Sequence, residues 1–271
     1  MNAASLSTTS MPVASVGSSS LRIYLLEAKY EFFKVLRMPA YAIPSLGFPL
    51  LFYVLFGLAF SGRWAVGAAG VTTYLIATYG AFGVMSVSMF GFGVGVAVER
   101  GQGWMLQKRA TPMPPLAYFT AKLAMAMLFS LMIVIELGVV GTVFGGVRLG
   151  VSSWLGLAAT LVSGSVPFAA LGLALGYACG PNSAPPIVNM ILMPMAFASG
   201  LWIPVDFLPK TVQAIAHFLP GYHFAQLALG GLGAGRGEGA LVHLAALAAF
   251  TALGLALAWI AYRRDEDRTY G

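Results

Sequence analysis

The stretch LAMAMLFSLMIVIELGVVGTV, residues 123–143, decides the fold class. It runs apolar for about six helical turns, and Glu136 is its single ionisable side chain. A helix crosses a bilayer core with about 20 such residues. A strand of a membrane barrel would alternate apolar and polar positions over roughly ten residues, and this run does not alternate. A helix also satisfies its own backbone groups where lipid supplies no partner. The run therefore predicts a transmembrane helix, taken here as residues 116–145.

Five further apolar runs lie around it, near residues 41–60, 70–97, 152–178, 186–203 and 240–262. The one at 186–203 is short and carries Pro194. Composition agrees with this count. Of 271 residues, 59% are hydrophobic and 9% are charged, against roughly 25% charged in a soluble domain. So few charges cannot cover a water-facing surface. The predicted fold is all-α: a polytopic membrane protein of six transmembrane helices whose outside meets membrane lipid.

The segments outside the spans differ from one another. Residues 1–20 hold nine Ser or Thr and no charged side chain, which predicts a disordered tail rather than a signal peptide. In residues 21–37, Leu21, Tyr24, Leu25, Ala28, Phe32, Val35 and Leu36 recur at spacings of three and four. Arg22, Lys29, Lys34 and Arg37 mostly fall elsewhere on the wheel. This is either an amphipathic helix lying in the membrane interface or the polar start of the first span, and Pro39 ends it.

Charge orients the spans. With both termini in the cytoplasm, Arg22, Lys29, Lys34, Arg37, Arg100, Lys108, Arg109, Lys122, Arg263, Arg264 and Arg268 are inside. Only Arg63, Arg148, Lys210 and Arg236 are outside. Eleven of fifteen basic residues on one side follow the positive-inside rule. The net charge of +6 is thus read as membrane orientation, with no nucleic-acid partner. The lone Cys179 permits no intramolecular disulfide. Glycine pairs four apart, Gly91 and Gly95, Gly141 and Gly145, Gly172 and Gly176, predict close helix contacts.

Little in the chain suggests catalysis. No Gly-Lys dipeptide occurs, so no Walker A loop is present. His217 and His223 lie six apart without an H-E-x-x-H, and no metal ligand set is predicted. Ser163, Ser165 and Ser199 lack the neighbours of an intramembrane protease, and helix packing accounts for such serines. Glu136 has two readings: a substrate or proton contact, or a carboxyl hydrogen-bonded to a neighbouring helix. The aromatic residues of the first two spans, among them Phe48, Phe52, Phe60, Tyr79 and Phe82, are not read as a sugar track, because aromatics are also routine in lipid-facing positions.

The loop after the second span is more specific. Val98-Glu-Arg-Gly-Gln-Gly-Trp-Met-Leu-Gln-Lys-Arg-Ala-Thr-Pro-Met-Pro-Pro115 is charged and long enough for about three helical turns. Pro112, Pro114 and Pro115 stop that helix. From Glu99 onward it resembles the cytoplasmic signature of type-2 ATP-binding cassette (ABC) permeases, E-R-x-x-G followed by R-x-T-P; Lys108 stands where that family has leucine. A second stretch, Pro194 to Pro209 and then Phe218-Leu-Pro-Gly-Tyr222, is similar to the family's fifth span and external segment, with Ser199, Gly200, Pro204 and Pro209 at the matching positions.

The resemblance implies one permease domain over residues 21–264. It comprises an interface helix at 21–37, a coupling loop at 98–115, an external segment of short re-entrant helices at 203–225 and a cytoplasmic tail at 265–271. It implies a permease homodimer and a separate ATPase subunit that holds ATP and magnesium, so the chain itself is neither catalytic nor cofactor-binding. Glu99, Arg100, Gly103, Arg109, Thr111 and Pro112 would carry the coupling, by match of motif. The implied setting is the bacterial inner membrane, and the implied activity is export of a drug-like, lipid or other amphiphilic substrate. Polysaccharide or glycolipid export by the same family is the first alternative, and an ion-coupled secondary transporter the second.

Overall fold

A computed structural model describes residues 20–59, 70–105 and 114–270. The predicted tail at 1–20, except for Ser20, lies outside the described residues, as do Phe60, Arg63, Lys108, Arg109, Thr111 and Pro112. The described chain is helical, with no strand among the described residues.

Helix α1 spans Ser20–Leu36. Helix α2, Pro39–Phe52, runs on into a π-helical segment, Tyr53–Leu58. Helix α3, Gly70–Met89, passes through a π-helical turn, Phe90–Val94, into α4, Gly95–Gly101. Then follow α5 (Pro115–Val143), α6 (Val151–Ser163), α7 (Ser165–Ala178) and α8 (Ala184–Ala198). A 3-10 turn at Val205–Phe207, α9 (Lys210–Ala216) and α10 (Pro220–Gly230) precede the last helix, α11 (Ala240–Tyr270).

Five helical stretches are long and apolar enough to cross a membrane: Pro39–Leu58, Gly70–Gly101, Leu116–Val143, Val151–Ala178 and Ala240–Arg264. The sixth expected crossing, α8, has 15 residues. At 1.5 Å per residue it reaches about 22 Å, less than the ~30 Å of a bilayer core. It stops at Ala198 because Ser199 and Gly200 turn the chain. Gly200 has φ +78°, and a Cβ there would lie 2.2 Å from the Val205 side chain. The last helix is longer than expected and continues through Tyr270.

The second span is the centre of the bundle. In its apolar stretch 72% of residues are buried, against 22% in the first span and 17% in the last. The sequence of α3 explains this, since it is apolar all round rather than striped. One of the glycine pairs, Gly172 and Gly176, brings backbones together. A Cβ on Gly172 would lie 3.0 Å from the Met89 carbonyl, and one on Gly176 would lie 2.6 Å from the Phe92 carbonyl. The Gly141 and Gly145 pair instead admits the buried Tyr53 hydroxyl. Both π-helical segments lie in the first two spans. Such turns are rare and recur at functional sites.

Contacts fix which helix ends lie together. Arg100 reaches the Gly176 and Tyr177 carbonyls at the end of α7. Tyr177 meets Tyr262 near the end of α11. Lys34 of α1 reaches Glu99. The end of α1 and the end of α11 are therefore at one end of the bundle. The opposite end holds Trp202 against Phe52 and Phe82, with ring centroids 5.4 Å apart in each case. Helix α8 leads from the first end to the second.

Candidate functional site

Five side chains from three segments close on one another at the end shared by the end of α1 and the end of α11. Glu31 and Lys34 lie one turn apart on α1, a spacing that puts them on one face. Glu99 comes from α4, and Tyr118 and Lys122 come from the first two turns of α5. Lys122 Nζ lies 2.7 Å from Glu31 Oε1 and 3.0 Å from Glu99 Oε1. Lys34 Nζ lies 2.5 Å from Glu31 Oε2 and 2.5 Å from Glu99 Oε1. The Tyr118 hydroxyl donates to Glu99 Oε2. All four carboxylate oxygens thus have a donor, and two acids balance two bases.

Burial makes that balance matter. Lys122 is 2% exposed, and Glu31 and Glu99 are buried with it. An unpaired charge in such a place costs several kcal/mol, whereas a paired and hydrogen-bonded set is tolerated. Burial alone would lower the Lys34 pKa, but the neighbouring Glu31 and Glu99 carboxylates outweigh it and hold the ammonium above its ordinary value. Lys34 also lies 5.7 Å from the centroid of the Trp104 ring, a cation–π contact from α1 to the segment after α4.

The next residue faces the other way. Arg100 Nη1 donates to the carbonyls of Gly176 at 2.7 Å and Tyr177 at 3.0 Å. Its guanidinium stacks over the Tyr177 ring at 5.1 Å. A cation on the last carbonyls of α7 complements the negative end of that helix. Gly101 abuts Pro181, whose Cγ would lie 2.2 Å from an added Cβ. Gly103 has φ +75°, a conformation open to glycine, and it turns the chain toward the loop. The adjacent Glu99 and Arg100 therefore fasten the end of the second span to α1, α5 and α7 together.

Of the residues singled out in the sequence, Glu99 and Lys34 meet in this cluster, and Arg100 and Gly103 follow Glu99 along the chain. Arg22 and Lys29 are exposed on α1 and Arg37 just after it, along with Leu21, Leu25, Tyr30 and Phe33. Arg109, Thr111 and Pro112 lie outside the described residues. Sequence reasoning missed Glu31, Tyr118 and Lys122. In the sequence Lys122 reads only as a cytoplasmic charge, yet a lysine two turns inside a span start calls for an acid. Glu31, three residues before Lys34, is the acid that pattern supplies.

The remaining candidates lie elsewhere. Glu136 is half-buried on α5, and its Oε1 is buried without a hydrogen-bond partner. Ser199 is buried, its hydroxyl also without a partner, beside Gly221. Pro204 and Pro209 immediately precede the 3-10 turn and α9. Ser163 and Ser165 donate to the Thr160 and Val162 carbonyls around the Gly164 break, so both hydroxyls serve the backbone. Among the described residues no group of three metal-ligating side chains could hold a metal ion.

Chemically the five-residue cluster is saturated and closed. It offers no acid or base for a proton transfer to a ligand. With Arg100 it fastens the segment that ends at Gly101 to three helices at once.

Comparison with known proteins gives two matches. The ABC-2 type transporter family profile covers residues 24–232, most of the chain and all of the cluster. A Bacillus subtilis (strain 168) protein, YvfS, whose name designates a transport permease, is 28% identical over 194 residues, which is 72% of this chain and 79% of that protein.

Proposed function

The chain belongs to the ABC-2 type transporter family, and from that premise we propose that it is the membrane half of an ATP-driven exporter for amphiphilic, drug-like or lipid substrates. It is a multi-pass membrane protein, and its family implies an ATP-binding subunit as partner. That subunit holds ATP and magnesium, while this chain performs no covalent chemistry. The observation that carries the reading is the cluster at the end of the second span. Two global arrangements driven by a partner need a contact that moves several helices as a unit, and Glu99 with Arg100 makes one.

In this reading the clustered end is cytoplasmic and both termini lie there, in a bacterial inner membrane. The distribution of charge supports it: Arg22, Lys29, Lys34, Arg37, Arg100, Lys122, Arg263 and Arg264 are at or near that end, and Arg148, Lys210 and Arg236 belong to connections at the other. The chain works as a homodimer. The first span supports this with an exposed apolar face of Ile43, Phe48, Leu51, Val54, Leu55 and Phe56. A pathway along such a face suits an apolar or amphiphilic molecule, and transport runs outward.

The test is purification of the tagged chain from its native membrane in mild detergent, with identification of stoichiometric partners. An ATPase bearing a Walker A loop should copurify and be lost when residues 99–112 are altered. A homo-oligomer without an ATPase in several detergents would overturn the reading.

A further inference from the structure

All three histidines of the chain converge at the end opposite the charged cluster. His217 closes α9, His223 lies in the first turn of α10 and His243 in the first turn of α11. His223 Nδ1 is 3.0 Å from His243 Nδ1, and His223 Nε2 is 3.0 Å from the His217 carbonyl oxygen. Both His223 and His243 are buried.

These two distances assign the protons. A carbonyl only accepts, so His223 Nε2 carries the hydrogen. A neutral imidazole has one such hydrogen, so His223 Nδ1 is a bare acceptor and the facing His243 Nδ1 donates. The other rings differ. His217 Nδ1 donates to the Gln213 carbonyl at 2.9 Å, and its Nε2 lies 3.6 Å from Glu238 Oε1. His243 Nε2 lies 3.6 Å from Glu238 Oε2. A proton added to either of those nitrogens would face a carboxylate. A first added proton is held at His243 Nε2, with the Nδ1–H···Nδ1 bond intact; a further proton on His223 then sets two N–H groups head to head across 3.0 Å.

We propose that the His223–His243 contact is a proton-released latch: it fastens α10 to the start of the last span while His223 is neutral, and it opens when His223 takes a second proton. The latch holds more than its own pair. The Phe224 ring fills the notch at Gly164, where an added Cβ would lie 2.0 Å from it, and Gly221 packs against Ser199. Release of α10 therefore loosens the break in the fourth span and the outer end of α8.

The charges around the latch are few. The Tyr222 hydroxyl donates to Glu238 Oε1 at 2.9 Å. Arg236 pairs with Asp206 and also acts on Tyr222. Tyr74 of α3 faces Asp206, Arg236 and Tyr222. Helices α6 and α8, which also touch α10, carry no ionisable residue. Burial lowers the His223 pKa below the ordinary histidine value, against the opposing pull of the His217 carbonyl and Glu238. The latch is therefore at full strength above about pH 6.5 and is lost as the pH falls through the lower folded value.

That the latch faces the cell exterior rests on the proposed topology, but its test does not. Hydrogen exchange of the purified full chain, corrected for the intrinsic rate, is compared at about pH 8 and about pH 4.5, well below the ordinary histidine value. Protection across residues 220–243 should fall by about tenfold or more on acidification. In His223→Gln the side-chain carbonyl accepts and the amide donates in the same pattern without titrating, so protection should persist at both values. His217→Gln should keep the wild-type response. An unchanged wild type, an equal loss in His223→Gln, or a response abolished by His217→Gln would each overturn the proposal. Histidine-selective nitrogen NMR of the unmodified chain adds a readout independent of variants. His223 should carry its proton on Nε2 at about pH 8, and a proton on Nδ1 would overturn the assignment.

Discussion

The two ends of the bundle are fastened by opposite kinds of chemistry. At one end, two glutamates and two lysines hold α1, α4 and α5 together with every carboxylate oxygen engaged. At the other, a neutral imidazole holds α10 to α11. Glutamate and lysine ordinarily change charge near pH ~4.3 and ~10.4, histidine near ~6.5. The first fastening is permanent in physiological conditions and the second is conditional. In the proposed function a coupling joint has to survive every cycle, whereas a segment at the far mouth can be allowed to loosen.

Four variants break or sharpen that contrast. Lys122→Met should have the largest effect, about 3–5 kcal/mol of lost stability, because it leaves two buried carboxylates to share Lys34 alone and Glu31 Oε1 without a donor. Denaturant unfolding in detergent measures it. Adding Glu31→Gln should recover some of the loss, and a double-mutant cycle showing no coupling would mean the pair does not act as a unit.

Arg100→Lys comes next, with a loss of about 1.5–3 kcal/mol. A lysine cannot reproduce the guanidinium on two carbonyls and the Tyr177 ring. If Arg100 acts only inside the fold, thermal stability and partner-stimulated ATPase activity should fall together. Gly176→Ala tests the closest backbone approach, 2.6 Å from an added Cβ to the Phe92 carbonyl. It should cost about 1–3 kcal/mol by forcing the second and fourth spans apart, read as a lowered midpoint of thermal unfolding.

The smallest effect is expected at the histidine end. Asp206→Asn removes the partner of Arg236, but Asp206 is mostly exposed, and such pairs contribute about 0–1 kcal/mol. Its unfolding midpoint should stay near wild type at low and high salt. A large loss would show that the region around the histidines relies on fixed charge after all, and the contrast between the ends would fail.

The charged end is half legible in the sequence. Glu99 and Arg100 stand in the stretch that resembles the family signature, and the resemblance singles them out. Their directions cannot, since adjacent residues on a helix point about 100° apart, and which neighbours wait on each side is a matter of packing. Lys122 and Glu31 lie 91 positions apart in the chain, and no local pattern links them. The histidine end is illegible. His217 and His223 are visible as a pair without a motif, and His243 is an unremarkable residue at the start of a span. Only the return of α11 beside α10 brings the third ring to the other two.

By itself the sequence determined that the chain is a helical membrane protein, because long unbroken apolar runs leave the backbone no other partner in lipid. It also determined that one loop is exceptional, because its charges and prolines break that rule. The tertiary structure alone decided that Glu99 and Arg100 grip different helices. It also brought His217, His223 and His243 together at the opposite end. Such features depend on distances between residues remote in sequence. Burial sets the sign and size of those interactions, and only the packed bundle specifies burial.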